Sequence, residues 1–108
     1  MRKIHIALST LDLASSVKEY SMLLRCEPFA LVAGEYALWR TETVNLSVRV
    51  DPNCKPGQLR HLGWEDSEAQ KFSKELDVNG IVWEKFDLAH QVEEINNIWP
   101  NAKYAPTN

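Results

Sequence analysis

The sequence predicts an α+β domain built from two strand-and-helix halves, and three observations predict it. Segments 3–8 and 44–50 alternate apolar and polar residues with a period of two. Segments 13–24 and 88–99 repeat apolar residues at helical spacing. Between them, Asp51-Pro52-Asn53-Cys54-Lys55-Pro56-Gly57 places two prolines and a glycine in seven residues, a loop dividing the chain.

In residues 3–8, Ile4, Ile6 and Leu8 share one face and Lys3, His5 and Ala7 the other, as in a half-buried strand. Ser9, Thr10 and Asp12 offer helix caps. Leu13, Val17, Tyr20 and Leu24 then form one helical face, and the helix is expected to end near Arg25. Short strands follow at 27–32 and 35–40, joined through Ala33-Gly34. Tyr36 and Trp39 lie on opposite faces of the second, so at most one lines a cleft. The strand 44–50 is the clearest, with Val44, Leu46, Val48 and Val50 opposite Asn45, Ser47 and Arg49.

After the loop, 58–64 reads as a strand. Asp66 or Ser67 is expected to cap a helix with Ala69, Phe72 and Leu76 on its apolar face, Gln70 completing a capping box from Ser67. A turn at Gly80, a strand at 81–86 and a helix capped by Asp87 follow. Leu88, Val92, Ile95 and Trp99 form the face of that helix, and Pro100 ends it. No regular element is expected after Tyr104. The order is β-α-β-β-β, linker, β-α-β, α. Each half opens with a histidine-bearing strand, His5 in IHIAL and His61 in LRHLG, which suggests a duplication.

Composition narrows the function classes. The 108 residues suffice for one domain with a single core. With 44% hydrophobic and 25% charged residues, the chain is neither disordered nor fibrous. No apolar run reaches the ~20 residues of a membrane span. A formal net charge of −3 argues against nucleic acid as a partner, since phosphate binding needs a basic face. Cys26 and Cys54 are too few for a disulfide framework and lack zinc-finger spacing. The opening segment does not read as a signal peptide, so a cytoplasmic location is expected.

Three motifs, in order, carry a resemblance. HIALSTLDLASSVKEYSMLL supplies His5, Asp12-Leu13, Ser16-Val17 and Tyr20. LRHLGWED supplies His61. DVNGIVWEKF supplies Asp77, Gly80, Trp83 and Glu84. Together they resemble the vicinal oxygen chelate superfamily, which includes glyoxalase I, bleomycin-resistance proteins and extradiol dioxygenases, over roughly residues 3–86. The resemblance implies one glyoxalase-like domain across residues 1–108, of paired βαβββ modules enclosing a cleft. The first module would span about 1–50, the linker 51–57 and the second module about 58–100. About seventeen residues separate His61 from the Asn79-Gly80 turn, so the second module is expected to be shortened to β-α-β plus a C-terminal helix.

The resemblance also implies His5, His61 and Glu84 as metal ligands. Two imidazoles and a carboxylate suit a first-row divalent ion and leave positions open for water or substrate. Fe²⁺ is preferred, with Mn²⁺, Ni²⁺ and Zn²⁺ compatible. Strand alternation lets each of the three face a cleft. His90, with Glu93 and Glu94 one turn on, is read instead as part of a solvated helix face.

Glyoxalase I-like members take a fourth ligand, a glutamate, from the strand matching 44–50. Asn45 is its nearest match, and an amide is a poor ligand for these metals. The expectation is therefore dioxygenase-like or lyase-like chemistry on a small oxygen-chelating substrate, rather than isomerisation. Asn45, Ser47 and Arg49 are the candidate substrate contacts, with Arg49 suited to a carboxylate or phenolate. The alternatives are a metal-free drug-binding protein of the bleomycin-resistance kind and a dimerisation or regulatory domain. Short members of the superfamily commonly dimerise. A homodimer is therefore expected, its second subunit completing the wall that the shortened module lacks.

Overall fold

The computed structural model describes residues 1–106. It is an α+β fold with one mixed seven-stranded sheet and two helices. The strands are β1 (Arg2–Thr10), β2 (Ala30–Val32), β3 (Tyr36–Arg40), β4 (Val44–Val50), β5 (Leu59–Asp66), β6 (Ser73–Leu76) and β7 (Val82–Phe86). Helix α1 is Leu13–Leu24 and α2 is Leu88–Ile98, followed by a 3-10 turn at Pro100–Ala102. Across the sheet the order is β2-β3-β4-β1-β5-β7-β6.

The sheet is built around the antiparallel pair β1/β5. Each of these strands has a parallel neighbour on its outer side, β4 beside β1 and β7 beside β5. An antiparallel strand flanks each of those in turn, β3 beside β4 and β6 beside β7. The second half thus repeats the first without a counterpart of β2.

Asp12 caps α1, its carboxylate accepting from the Ser15 amide. The left-handed Arg25 ends the helix by closing backbone bonds onto Met22 and Ser21. Leu13, Val17, Tyr20 and Leu24 pack on Ala37, Trp39, Leu46 and Val48, the main core. On the opposite face of β3, Tyr36 and Leu38 pack with Val92 and Ile95 of α2 and with Trp99, which follows it. The two helices therefore cover opposite faces of the sheet. Asp87 caps α2 through the reciprocal bonds with His90 that define a capping box.

The helix expected after Asp66 does not form, and the second half is not β-α-β. Residues after Asp66 turn and enter β6, which pairs with β7 from Ser73↔Lys85 to Leu76↔Val82. The four residues Asp77–Gly80 close a hairpin. Gly80 adopts φ +77, and the Asp77 carboxylate accepts from the amides of Asn79 and Ile81 and from the Trp83 indole. Asn-Gly at a tight turn between two extended runs is a strong hairpin signal, and here it overrides the capping pattern at Ser67. Of the supposed helical face only Ala69 is buried, while Phe72 and Leu76 are exposed.

Residues 105 and 106 belong to no regular element, and the last two positions of the expected loose tail lie outside the described residues. No helix among the described residues is long and apolar enough to cross a membrane.

Candidate metal centre

The β1/β5 pairing brings the two histidines together. Ile6 faces Leu62 at the middle of the pair, His5 faces Gly63, and His61 faces Ala7. The histidines thus sit diagonally about a local two-fold. The parallel pairing of β5 with β7 sets Glu84 beside Gly63 on the same face. A Cβ on Gly63 would overlap the Glu84 carbonyl oxygen, so only glycine lets β7 come close enough to deliver that side chain.

One donor atom from each of His5, His61 and Glu84 lies within 4.8 Å of the others, a group that could hold a metal ion. His61 Nε2 is 3.0 Å from His5 Nε2 and 3.1 Å from Glu84 Oε1. Two ligands at right angles on a metal at ~2.1 Å are separated by ~3.0 Å, and two tetrahedral ones by ~3.4 Å. The two distances from His61 each fit adjacent corners of a five- or six-coordinate sphere.

A buried hydrogen-bond chain fixes which nitrogen His5 presents. Arg40 donates twice to the Glu65 carboxylate, at 2.9 and 2.7 Å. Asn45 Nδ2 donates to the same carboxylate at 2.8 Å, which sets the orientation of the amide. Asn45 Oδ1 therefore faces His5 Nδ1, 2.8 Å away, and accepts its proton. His5 is left with a lone pair at Nε2, aimed at the other two donors. Gln91 of α2 pairs with the Asn45 amide at 2.8 and 3.2 Å, tying the helix into the chain.

Electrostatics agree with that assignment. Burial drives the His5 imidazole down to about 4 against the opposing pull of the Asn45 hydrogen bond, so it is neutral near pH 7. Burial raises the Glu84 carboxyl, but the hydrogen bond and charge from His61 outweigh it and hold Glu84 below the ordinary carboxylate range. His61 Nε2 therefore lies between two atoms that both present lone pairs. A single proton there, or a single cation, satisfies all three groups.

The triad opens into a cavity of about 40 Å³ between the sheet and α2. His5, Tyr36, Ser47 and Arg60 line its sheet side, and His90, Gln91, Glu94 and Ile95 its helix side. The Phe86 ring meets His5 edge-on at 5.0 Å. The wall that the second half lacks in strands is thus supplied by α2 of the same chain.

Of the residues expected to touch substrate, Ser47 lines the cavity and is 2% exposed. Arg49 lies at the rim, its guanidinium 5.2 Å from the Trp99 ring centre. Asn45 is fully buried beneath the cavity and serves as the hydrogen-bond partner of His5. Nor is it the positional counterpart of Glu84. Gly63 corresponds to Ala7 under the local two-fold, and Ala7 pairs with Ser47, so the counterpart on β4 is Ser47. Of the two aromatics on β3, Tyr36 lines the cavity and Trp39 belongs to the core. His90 caps α2 through Asp87 while bordering the cavity.

Arg60 was not among the expected site residues. The β1/β5 register slips between Ala7 and Leu8, leaving Arg60 as the extra residue of a bulge. A bulge re-aims a side chain. Arg60 consequently joins His61 on the cavity face, where strict alternation would have sent it to the other side. Glu65, Arg40 and Gln91 carry no local sequence signal, because their role exists only once β3, β4, β5 and α2 are assembled. No family model matches the chain, and no curated protein matches its sequence.

Proposed function

We propose that the chain is a divalent-metal-dependent enzyme of the vicinal oxygen chelate superfamily, acting on a small substrate that chelates the metal through oxygens. The observation that carries this reading is the convergence of His5 Nε2, His61 Nε2 and Glu84 Oε1 at one point beside a cavity. Two strand-borne histidines related by a local two-fold, and a carboxylate from the last strand, also support it.

Fe²⁺ ranks first, with Mn²⁺, Ni²⁺ or Zn²⁺ compatible with the same donors. The bound ion would polarise a chelating substrate oxygen and leave further positions open. The chain's own residues do the rest. Glu84 offsets part of the ionic charge. The Asn45–Glu65–Arg40 chain holds the His5 ring in one tautomer and orientation. Phe86 and Ile95 present apolar surface that limits water at the site. Ser47 stands where a fourth carboxylate would be needed for isomerase geometry, so dioxygenase-like or lyase-like chemistry is favoured. The small cavity disfavours bulky-drug sequestration, since pockets for such ligands run ~300–1,000 Å³.

The test is metal content after purification without chelator, in wild type and in Glu84→Ala. The proposal expects close to one equivalent in wild type and a large loss in the variant. Equal, negligible metal in both would overturn it.

A further inference from the structure

Beside the triad, the cavity holds two arginines without a carboxylate partner. Among the described residues, the ion pairs are Arg40–Glu65 and Lys85–Asp66, and two imidazole–carboxylate contacts join His61 to Glu84 and His90 to Asp87. None involves Arg49 or Arg60. Arg60 donates from Nε to the Leu8 carbonyl at 3.1 Å and from Nη2 to the Ser47 hydroxyl at 3.2 Å. Those bonds fix its plane and leave other N–H groups of the fork for a ligand. The guanidinium is half-buried, and no carboxylate pairs with it directly, although Glu84 and Glu94 line the same cavity; an anion docked on the free N–H groups would supply the direct partner. Burial lowers the Arg60 guanidinium from its ordinary value and Arg49 adds to this, while Tyr36, Glu84 and Glu94 oppose it. Burial also keeps the Tyr36 phenol protonated, a neutral donor next to Ser47.

Arg49 and Arg60 each line both the inner cavity and an open groove past the end of β4, bordered by Val50, Asp51 and Pro52. They form the threshold between site and solvent. Glu94 of α2 faces the same cavity, so its acidic charge is part of the local balance. One water-sized group needs ~10–15 Å³ by the same measure, so 40 Å³ takes about three. An ion would fill one, leaving two for the inward-facing oxygens of a ligand whose other atoms lie in the open groove.

We propose that Arg60, seconded by Arg49 at the rim, anchors a carboxylate group of the ligand, whose remaining oxygen reaches the metal side of the cavity. The ligand class is a small oxygen-bearing carboxylate of the size of oxalate, or a longer 2-oxo acid whose tail leaves through the β4 groove. Arg60 would read the carboxylate in bidentate fashion. The metal end of this assignment rests on the proposed function, and the arginine end does not.

The experiment is calorimetric titration of oxalate, with phosphate as a tetrahedral control, into EDTA-treated protein and into Mn²⁺-treated protein. It is run on wild type, Arg60→Gln, Arg60→Lys and Arg49→Gln, with a melting curve for each. Oxalate is expected to bind both wild-type forms, at least tenfold more tightly after Mn²⁺ treatment, and more tightly than phosphate. Arg60→Gln should weaken oxalate at least tenfold in either form while Mn²⁺ stoichiometry is kept. Arg60→Lys, which keeps the charge without the fork, should lie between, and Arg49→Gln should show a smaller loss. Failure of the metal reading alone would appear as no Mn²⁺ uptake with Arg60-dependent oxalate binding intact. Oxalate affinity unchanged in folded Arg60→Gln, phosphate binding as tightly as oxalate, or no oxalate binding to either wild-type form would each overturn the carboxylate anchor.

Discussion

The two halves of the sheet share a strand plan and differ in where they put their helix. In the first, α1 follows its opening strand and packs on the face away from the histidines, burying Leu13 against Trp39 and Val48. In the second, no helix follows β5, and α2 comes last and lies over the histidine face. The strand scaffold can position ligands without the second covering helix. The helix moved to the end of the chain closes the cavity instead. Leu62, Trp64 and Trp83, on the other face of β5 and β7, are left half-buried, with Arg2 4.1 Å over the Trp64 ring.

The comparison is broken at paired strand positions, where one substitution is expected to lower both stability and metal uptake. Gly63 and Ala7 are counterparts, but only Gly63 abuts a neighbouring backbone. Gly63→Ala is expected to cost ~2–3 kcal/mol through forced strand displacement, whereas Ala7→Gly should cost ~1 kcal/mol. Denaturant melts of the two variants check the asymmetry, and metal uptake should fall in Gly63→Ala through displacement of Glu84.

The next contrast sets the two helices against each other. Ile95→Ala in α2 and Leu13→Ala in α1 remove side chains 3% and 6% exposed, and each is expected to cost ~2–4 kcal/mol. Only Ile95→Ala should enlarge the cavity. A small-molecule binding assay separates them where a melting curve does not.

Asn45→Leu tests the buried chain that joins the halves. It removes a partner of Glu65 and Gln91 and leaves His5 Nδ1 only the longer contact to the main-chain carbonyl of residue 45, at a cost of ~1–3 kcal/mol. Metal affinity should drop ~10–100-fold, since the orienting bond of a ligand is lost. Metal titration of the folded variant checks this.

Acid should weaken the same chain. Burial raises the Glu65 carboxyl, but hydrogen bonds from Arg40 and Asn45 outweigh it, so its folded value lies below the ordinary 4.5. A depressed carboxylate contributes stability above its unfolded value and loses it as pH falls through the folded one. Stability measured downward from pH 5 should therefore decline, and Glu65→Gln should flatten that part of the profile. The smallest effect is expected at Arg2→Ala, ~0.5–1 kcal/mol from its contact with Trp64.

Much of this was legible from local pattern. Alternation through Ile4, Ile6 and Leu8 places His5 on the other face of its strand, and the spacing of Leu13, Val17, Tyr20 and Leu24 marks α1. The same alternation gives the face that His61 and Glu84 take in β5 and β7, though it does not by itself mark them as ligands. What was not legible depends on assembly. The bulge at Arg60 is a property of the β1/β5 register, invisible in β5 alone. Ser67 and Gln70 read as a capping box, but the residues after them find no surface to pack on and pair with β7 instead. Asn45 was read as facing substrate because alternation gives the face but not the depth. The seating of α2 over the histidine face follows from Ile95 and Gln91 meeting Tyr36, Leu38 and Asn45 across two strands.

The most direct measurement is anomalous diffraction from a crystal of the chain grown with Mn²⁺. The account predicts one peak per chain, within ~2.0–2.3 Å of His5 Nε2, His61 Nε2 and a Glu84 carboxylate oxygen, and none in a His61→Ala crystal. A peak elsewhere, or no peak with the three side chains still hydrogen-bonded to one another, would contradict it.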